Sequence, residues 1–543
     1  MKKSTLFIFL GIILIATVLR FWQLGRVPLS PDWDEVSLGY NAFSILHTGK
    51  DEYGKTLPIV LQSFGDYKPA LYTYLTIPSI AVFGLTVFAL RFPSAVFGIL
   101  SVVFVFFLVR ELFKKDTLAL IASFLLAIAP WSLQFSRVAF ETNVGVALNI
   151  FGALFFVKGL KKPWLFIGSA IIFALNIYVY QSEKIFTPLL VVLLICVFYQ
   201  DLKILSKKFL ISFFLVGIFV ALPMILYTFF GTGGLARVQG VSILSSNTLS
   251  QTIANRHVYN VTHHDTIGLL LNNKWTVYGK TILANYLSHY DLNWLFITGD
   301  IDRHHAPDMG LLYLFELPAI GVGIYQLLFG KWSKKTKLLI FGWFLLAPLP
   351  AAITQDVPHA VRTMNFLPAY QIFAALGFLT VWTTCTKVAY KKIPWGALLL
   401  VLWAFLAMYN FVYYLDEYFV QQNYFYATDW QYGYEQVVAD VKKLAPKYNT
   451  IIVDNKTPMD QSYIFFLFYL HENPASYQKQ GITASSQIRH FGKYVFQPIT
   501  WDAETTLKQT LFVGVSSDFP KTATILTTIK NPDGSTAFEI ATK

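Results

Sequence analysis

Five acidic residues stand close together in a chain that is otherwise poor in acids. Asp32, Asp34 and Glu35 lie within PDWDEVSLGY, and Asp51 and Glu52 follow in GKDEYGKTLP. A carboxylate at the start of a helix can cap that helix, or it can act as a general base that takes a proton from a hydroxyl group. Both interpretations stay open for Asp34 and Glu35, because apolar residues at helical spacing follow them.

Cationic side chains follow these acids along the same stretch of sequence. Lys68 lies in GDYKPALY directly after Asp66 and Tyr67, and Arg91 begins the motif RFPSA. Carboxylates together with cations suit a reaction that removes a proton from one partner and expels an anion from the other. Each cation also has a simpler alternative role, since lysine and arginine near a membrane boundary extend their charged ends toward water.

Two later motifs add further charged groups. Arg137 and Glu141 in FSRVAFETN are four residues apart, a spacing that is typical of a local helical ion pair. His359 and Arg362 in QDVPHAVRTMNF stand just before an apolar run, where charge is costly enough to suggest a function. A solvated loop remains the alternative for this second pair.

Histidines are concentrated in one polar segment. Six of the ten lie there: His257, His263, His264, His289, His304 and His305. Their spacing matches no zinc-protease motif or other fixed set of metal ligands. We therefore predict no metal site and no cofactor, in preference to a metal-binding alternative, and we expect His304 and His305, in GDIDRHHAP, to contact donor or acceptor; a plain polar loop stays the other interpretation of this segment.

The composition indicates the class of protein that carries these side chains. The chain has 543 residues, of which 55% are hydrophobic and 14% charged, and a mean hydropathy of +0.50. These values are typical of a polytopic membrane protein. The net charge of +12 does not indicate nucleic-acid binding, because the lysines fall mainly in short links between apolar runs. Both cysteines lie inside apolar runs, which argues against a disulfide framework.

Eleven apolar runs are candidates for membrane spans. They lie near residues 5–24, 92–109, 117–135, 143–158, 164–180, 185–200, 209–230, 310–330, 337–353, 363–383 and 395–415. With Met1 in the cytoplasm, every lysine-rich link also falls inside, including Lys203–Lys208 and Lys387–Lys392. We therefore predict a multi-pass plasma-membrane protein of about eleven helices, mainly α, with its first run as an uncleaved anchor. The segment 68–84, interrupted by Pro78, is predicted as a helix in the outer interface.

This topology divides the chain into a membrane domain, residues 1–415, and a soluble extracytoplasmic domain, residues 416–543. The membrane domain carries outer loops at 25–90 and 231–309. In the C-terminal domain, GYEQVVADVKKLA has helical spacing, and NTIIVDN and TLFVGVS are predicted strands. A hairpin turning at Asp533 and Gly534 follows, so a small α/β domain is expected.

The first outer loop resembles that of the dolichyl-phosphate-mannose protein mannosyltransferase family and its bacterial relatives, which include the aminoarabinose transferases of lipid A. The resemblance covers residues 28–110 and rests on the order of Asp34-Glu35, Gly65-Asp66, KPAL at 68–71 and RFPSA at 91–95. KPAL stands where relatives often have a double proline. These proteins are membrane glycosyltransferases of the C-type fold.

The resemblance implies an inverting glycosyltransferase that uses a polyprenyl-phosphate-linked sugar on the outer face of the bilayer. The acceptor would be a hydroxyl group of a protein, lipid or glycan. Asp34 would be the catalytic base, Glu35 would hold geometry or the acceptor, and Lys68 would bind the donor phosphate. Further candidates are Arg91 and Arg362 for the phosphate, and Asp66, Tyr67, Arg137, His304, His305 and His359 for substrate.

Two other functions stay open at this point. A lipid-linked sugar transporter is the main alternative, although transporters commonly contain internal repeats and none is recognised here. A catalytically silent scaffold in cell-envelope assembly is the third.

Overall fold

The computed structural model describes residues 2–231, 233–234, 240–387, 395–481, 483, 486, 488–501 and 509–543. The chain folds into two compact units. The first comprises Met1–Arg20, Phe97–Phe135 and Glu141–Tyr414, and the second comprises Phe21–Val96, Ser136–Phe140 and Leu415–Lys543. The sequence-based division placed the first outer loop with the membrane domain, whereas the structure groups it with the C-terminal residues.

Among the described residues, long apolar helices occur at six of the predicted spans. They begin at Lys3, Val87, Glu141, Lys207, Met364 and Trp395, and each is long and apolar enough to cross a membrane. A seventh span is obtained if Asp116–Ile128 and Pro130–Ser136, bent by 56° at their junction, are taken together. The remaining predicted runs contain shorter helices: Leu165–Asn176, Glu183–Val197, Glu316–Phe329 and Lys334–Leu346. Eleven spans therefore remain a prediction, although every predicted run contains a helix.

The interrupted segment 68–84 contains the helix Leu71–Phe83, with Pro78 inside it. Thirteen residues at a rise of 1.5 Å each give a length of about 20 Å, which is shorter than the roughly 30 Å hydrocarbon core. The same holds for Leu165–Asn176 and Glu316–Phe329, so the interfacial placement of this segment stays a prediction. The basic link predicted at Lys387–Lys392 lies outside the described residues from position 388 onward.

The outer loop predicted at 231–309 is largely helical where the structure describes it. It contains Asn247–Thr262, Thr266–Leu271, Lys274–Ser288 and the π-helix Trp294–Thr298. The side chains of Ser246, Asp265 and Asn273 accept backbone N–H groups at the first three helix starts. The polar composition concealed these helices, because they bury few side chains and so lack a continuous apolar stripe.

The described residues of the second unit form two sheets. Strands β1 (Val60–Ser63) and β2 (Asp66–Pro69) form an antiparallel hairpin. The second sheet has six strands in the order β4-β5-β3-β6-β8-β7. These are β3 (Thr450–Val453), β4 (Arg489–Phe491), β5 (Tyr494–Phe496), β6 (Thr510–Gly514), β7 (Thr524–Lys530) and β8 (Thr536–Thr542). Strand β3 is parallel to β5 and β6, and the other pairs are antiparallel.

Helices of the second unit connect and cover these strands. They include Trp33–Thr48, Tyr434–Leu444, Ser462–Tyr469 and Pro474–Gln478. Val36 and Tyr40 of the first of these helices share one hydrophobic core with Phe465 and Ile451. The hydroxyl of Tyr40 also donates to the carbonyl of Glu472 at 3.1 Å. The helix that carries Asp34 and Glu35 is therefore held by the C-terminal residues.

Candidate functional site

The helix Trp33–Thr48 is capped by Asp32 and not by Asp34. The Asp32 Oδ1 accepts the N–H of Glu35 at 2.8 Å, and Glu35 Oε2 accepts the N–H of Asp32 at 3.3 Å, which completes a capping box. Asp34 stands one residue before Glu35 in the first turn, near the positive end of the helix dipole. Its side chain is 43% exposed. Because Asp32 satisfies the cap, the position of Asp34 has no capping explanation.

Lys68 forms an ion pair with Asp34 through its ammonium and Oδ1. Lys68 lies on β2, and the turn Phe64-Gly65 between β1 and β2 has positive φ at both residues, 52° and 80°. This turn brings β2 back along β1, so two groups that are 34 residues apart meet. Lys68 is 13% exposed. Carboxylate and ammonium are therefore adjacent, and both reach the surface of the second unit.

Asp66 and Tyr67 precede Lys68 on the same strand. Asp66 Oδ1 accepts the N–H of Tyr67 at 2.7 Å, and both residues are half-buried. They lie beside Lys68 in sequence, so a role in substrate contact stays a prediction.

Arg91 is fully buried and binds Glu35 in a bidentate pair, at 2.9 Å from Nε to Oε1 and 3.0 Å from Nη2 to Oε2. Its remaining N–H groups donate to backbone carbonyls, those of Leu24, Pro28 and Ser30. Glu35 Oε1 also accepts the N–H of Ala139 at 2.8 Å. The geometry does not support the predicted contact of Arg91 with donor phosphate, because all five N–H groups are used inside the protein. Arg91 and Glu35 instead fix the start of the helix that carries Asp34.

Arg137 is also buried, with 1% exposure. Its Nε donates to the hydroxyl of Tyr418 at 3.2 Å and Nη2 donates to the carbonyl of Val27 at 3.2 Å. The guanidinium lies over the ring of Phe419, 4.8 Å from its centroid. This environment gives no support to the predicted substrate contact of Arg137, since the charged group is held within the second unit.

A cluster of polar side chains lies in the first unit. Asp300 Oδ2 is 3.1 Å from His304 Nδ1 and accepts the N–H of Ala360 at 2.8 Å. The rings of His304 and His359 are 5.2 Å apart between centroids. The backbone N–H of His359 donates to Nε2 of His289 at 3.2 Å. Two histidines predicted as substrate contacts, His304 and His359, are therefore brought together across 55 positions of the chain.

Burial and neighbouring charges set the ionisation of this cluster. Burial alone would raise the pKa of Asp300, but the facing His304 and the Ala360 N–H outweigh it and hold the pKa at about 2. Burial lowers the pKa of His359 well below its usual value, and the charge of Arg362 lowers it further. At neutral pH the cluster thus contains a carboxylate and an uncharged His359 ring.

His305 makes contacts of its own. Its Nδ1 is 2.8 Å from the carbonyl of Ala306. Its ring lies so close to Gly299 that a Cβ added to this glycine would stand 2.2 Å from Cδ2 of the ring. The φ of Gly299 is +64°, a conformation that favours glycine. His305 therefore packs against the turn that precedes the cluster, and its predicted substrate contact stays untested.

Arg362 lines a cavity of about 260 Å³ within the first unit, together with Lys184 and Tyr180. Its Nη1 donates to Thr354 Oγ1 at 2.7 Å and to the carbonyl of Gln355 at 2.6 Å. Lys184 also borders an apolar groove of about 460 Å³, lined by side chains of the helices Leu165–Asn176, Glu183–Val197 and Lys207–Phe230. Two cations at one cavity can neutralise an anionic group, and the groove suits a hydrocarbon chain.

The sequence did not identify every member of these groups. Asp32 was not assigned as the cap, although Asp-x-x-Glu before an apolar run resembles a capping box. Asp300 was not among the predicted site residues, although its spacing of four from His304 would have indicated a pair on one helical turn. Lys184 received no role, because only the fold brings it to the same cavity as Arg362.

Residues 67–227 match the sequence model of the family described as dolichyl-phosphate-mannose-protein mannosyltransferase. A search against curated proteins finds no significant match. The predicted resemblance to this family is thus confirmed, and the matched region contains Lys68 and Arg91 and begins after Asp34 and Glu35.

The fold is similar to that of ArnT from Cupriavidus metallidurans. The structure of ArnT bound to undecaprenyl phosphate matches with a TM-score of 0.57 at 12% identity, and covers 100% of this chain and 98% of that one. The apo structure gives a TM-score of 0.55 at 11% identity, with 99% and 98% covered.

The oligosaccharyltransferase of Archaeoglobus fulgidus, tethered with an acceptor peptide that contains the NVT sequon, matches with a TM-score of 0.51 at 14% identity. That match covers 87% of this chain and 63% of the archaeal protein, so this chain spans less than two thirds of the length of that protein. The mainly helical fold with several apolar helices is therefore one that this chain shares with both proteins.

Proposed function

We propose that this relative of the mannosyltransferase family is an inverting glycosyltransferase. It would move a sugar from a polyprenyl phosphate to a hydroxyl group of a protein, lipid or glycan at the extracytoplasmic face of the membrane. The observation that carries the proposal is the partly exposed carboxylate of Asp34, which forms an ion pair with the ammonium of Lys68. Asp34 does not cap the helix, because Asp32 does so. A base and a phosphate-binding cation are the two groups that such a transfer requires.

The reaction needs only one carboxylate for proton transfer. Asp34 takes the proton from the acceptor hydroxyl while the hydroxyl oxygen attacks the anomeric carbon from the side opposite the phosphate. The bond from the anomeric carbon to the phosphate oxygen breaks, and its electron pair leaves with the polyprenyl phosphate. Since this leaving group is already a stable anion, no second carboxylic acid has to protonate it, unlike in glycoside hydrolysis. Attack from the opposite side inverts the anomeric centre.

The ion pair between Lys68 and Asp34 couples donor binding to activation of the base. While the ammonium faces the carboxylate, it favours the charged form and makes Asp34 a weaker base. A donor phosphate competes for Lys68 as a point charge and draws the ammonium away from the carboxylate. Asp34 then becomes more basic when the donor is bound.

Two features of the first unit support a lipid-linked anion as the donor. Arg362 and Lys184 line one cavity, and Lys184 also borders an apolar groove. We therefore retain Arg362 as a candidate for donor binding and add Lys184. The ArnT structure with undecaprenyl phosphate supports a polyprenyl phosphate as the lipid carrier. The basic links of the sequence support an outer location for the residues that follow the first helix.

The experiment that tests the proposal is a transfer assay with the purified full-length chain in lipid nanodiscs. A panel of polyprenyl-phosphate sugars is incubated with peptide, lipid and glycan acceptors, and products are identified by mass spectrometry. The expected result is transfer by the wild type and loss of transfer in Asp34→Asn, with donor binding retained. Asp440→Asn is the matched control, because Asp440 forms a surface ion pair with Lys443. Transport of the donor across the bilayer without any product would instead favour the transporter.

A further inference from the structure

Three side chains of the first unit bring donor atoms of metal-binding type together. One carboxylate oxygen of Asp300 and one ring nitrogen each of His304 and His359 all lie within 4.8 Å of one another. A tetrahedral ion with bonds of about 2.1 Å holds its ligand atoms about 3.4 Å apart. We propose that Asp300, His304 and His359 bind a divalent transition-metal ion, with Zn²⁺ as the first candidate.

Two buried atoms of the cluster have unmet bonding capacity. Within the part of the chain that the structure describes, neither Asp300 Oδ1 nor His359 Nδ1 has a hydrogen-bond partner. Buried polar atoms in folded proteins nearly always have one. A cation bound between these side chains would accept lone pairs from both groups and so supply the missing partner.

The contact between Asp300 and His304 fits either a hydrogen bond or a pair of metal ligands. His304 Nδ1 is 3.1 Å from Asp300 Oδ2, and this distance is close to the separation of two ligands on one zinc ion. A metal would replace the proton that the two atoms otherwise share. The pair alone does not explain His359, whose ring faces that of His304 at 5.2 Å.

Neighbouring groups orient the Asp300 carboxylate and hold the backbone of His359, as outer contacts of a metal site do. The N–H of Ala360 donates to Asp300 Oδ2. His289 Nδ1 lies 2.7 Å from the carbonyl of Asn285, which leaves its Nε2 free of hydrogen to accept the N–H of His359. The first contact holds the main chain at Ala360 against Asp300, and the second holds the main chain at His359 against His289.

The ligand types select the class of metal. Two imidazoles and one carboxylate suit Zn²⁺ and similar first-row ions, whereas Mg²⁺ and Ca²⁺ prefer oxygen ligands throughout. Three protein ligands leave a fourth position for water or another group. The sequence showed no such site, because His359 is 55 positions from His304 and only the fold brings them together.

Binding of the ion would join two segments of the first unit. One segment carries Asp300 and His304 after the turn at Gly299, and the other carries His359, three residues before Arg362. The inference does not depend on the proposed transfer reaction, and its test uses no sugar donor.

The test is zinc binding by the full-length protein, purified without a polyhistidine tag and treated with a chelator. Zinc content is measured by mass spectrometry after gel filtration, and affinity is measured by calorimetric titration with Zn²⁺ and, separately, Mg²⁺. We expect one zinc ion per chain and no comparable binding of Mg²⁺. Asp300→Asn and His359→Asn should each weaken zinc binding by at least about 100-fold. Loss of an outer contact of a metal site lowers metal affinity by about 10–100-fold, and loss of a ligand itself should lower it at least as much.

The control variant is His257→Asn, because His257 is an exposed histidine in the same polar segment. It should bind zinc like the wild type. Melting temperatures with and without Zn²⁺ separate loss of binding from loss of folding: zinc should raise the value for the wild type and for His257→Asn, and leave the two ligand variants unchanged. Zinc content far below one per chain, or equal affinity in the wild type and both ligand variants, would overturn the proposal.

Discussion

Replacing Arg91 with lysine distinguishes a positioning role from the phosphate-binding role that the sequence suggested. Arg91→Lys keeps the positive charge, so any simple attraction to a phosphate is largely preserved. It removes the planar guanidinium, which binds Glu35 through two nitrogens. The other N–H groups of the guanidinium bind three backbone carbonyls. A lysine offers three N–H donors where arginine offers five. At least two of the five buried contacts are therefore lost.

The magnitude follows from the number of contacts that stay unmade. An unsatisfied buried polar group costs about 1–3 kcal/mol, so the loss of two contacts predicts a fall of about 2–6 kcal/mol in the free energy of unfolding. For a folded unit of roughly 200 residues, 1 kcal/mol shifts the melting temperature by about 2–4 °C. We expect the melting temperature of Arg91→Lys to fall by at least about 4 °C.

The assay is a melting curve of the purified protein in detergent, together with the dependence of transfer on donor concentration. Arg110→Lys is the matched control, because Arg110 lies on the same helix, Val87–Phe113, in a half-exposed pair with Asp116. Such pairs are worth about 0–1 kcal/mol, so this variant should melt within about 2–4 °C of the wild type. The folded fraction of Arg91→Lys should keep the donor KM of the wild type.

The reasoning is refuted if Arg91→Lys melts like the wild type while its donor KM rises tenfold or more. That outcome would indicate that Arg91 binds the donor phosphate. It would also mean that Glu35 does not depend on Arg91 for its position.

Three further predictions concern Lys68, Glu52 and the C-terminal residues. Lys68→Ala should raise the donor KM at least about tenfold, the effect of losing about 1.4 kcal/mol of phosphate attraction, without changing acceptor preference; an unaltered donor titration would argue against the assigned contact. Burial raises the pKa of Glu52 to about 7, so stability should fall as pH rises from about 4.5 to 7. Melting temperatures at pH 5 and pH 8 should then differ less in Glu52→Gln, and an equal difference in both proteins would contradict this. Deleting residues 416–543 should abolish transfer to every acceptor and cause aggregation on gel filtration, because these residues share a core with Tyr40; a monodisperse, active truncation would count against it.

The membrane helices were predictable because their signal is local. A run of apolar residues near 20 in length requires a helix in lipid, whatever the rest of the chain does. The strands around Ile451 and the hairpin at Gly534 were also predicted, from short apolar segments and a turn dipeptide. The hairpin β1–β2 was missed, because each strand has only four residues and Pro69 ends the second.

The site was predictable only in part. Asp34 and Lys68 follow from the order of motifs in one loop, and the structure brings the two side chains into contact. The partnership of Glu35 with Arg91 spans 56 positions and depends on tertiary packing, so the sequence alone showed the charges without their burial. A charged residue near the end of an apolar run has the same local signature whether it binds substrate or a buried partner.

The cluster in the first unit shows the same limit. His304 and His359 each stand in an ordinary polar segment, and neither segment has a metal-binding spacing. Their approach depends on the turn at Gly299 and on the contact between Ala360 and Asp300. Spacing rules recognise ligands that one helix or loop supplies, and they do not detect ligands from two distant segments.

The most direct test of the central claim is the single-turnover rate of sugar transfer by Asp34→Asn at saturating donor, with the donor dissociation constant measured on the same sample. Removing a general base lowers the rate of a chemical step by about 10²–10⁴ fold. We predict a loss in that range, a melting temperature close to that of the wild type, and a donor dissociation constant that is unchanged or lower, because Lys68 no longer faces a carboxylate. A single-turnover rate within tenfold of the wild type would show that Asp34 is not the base.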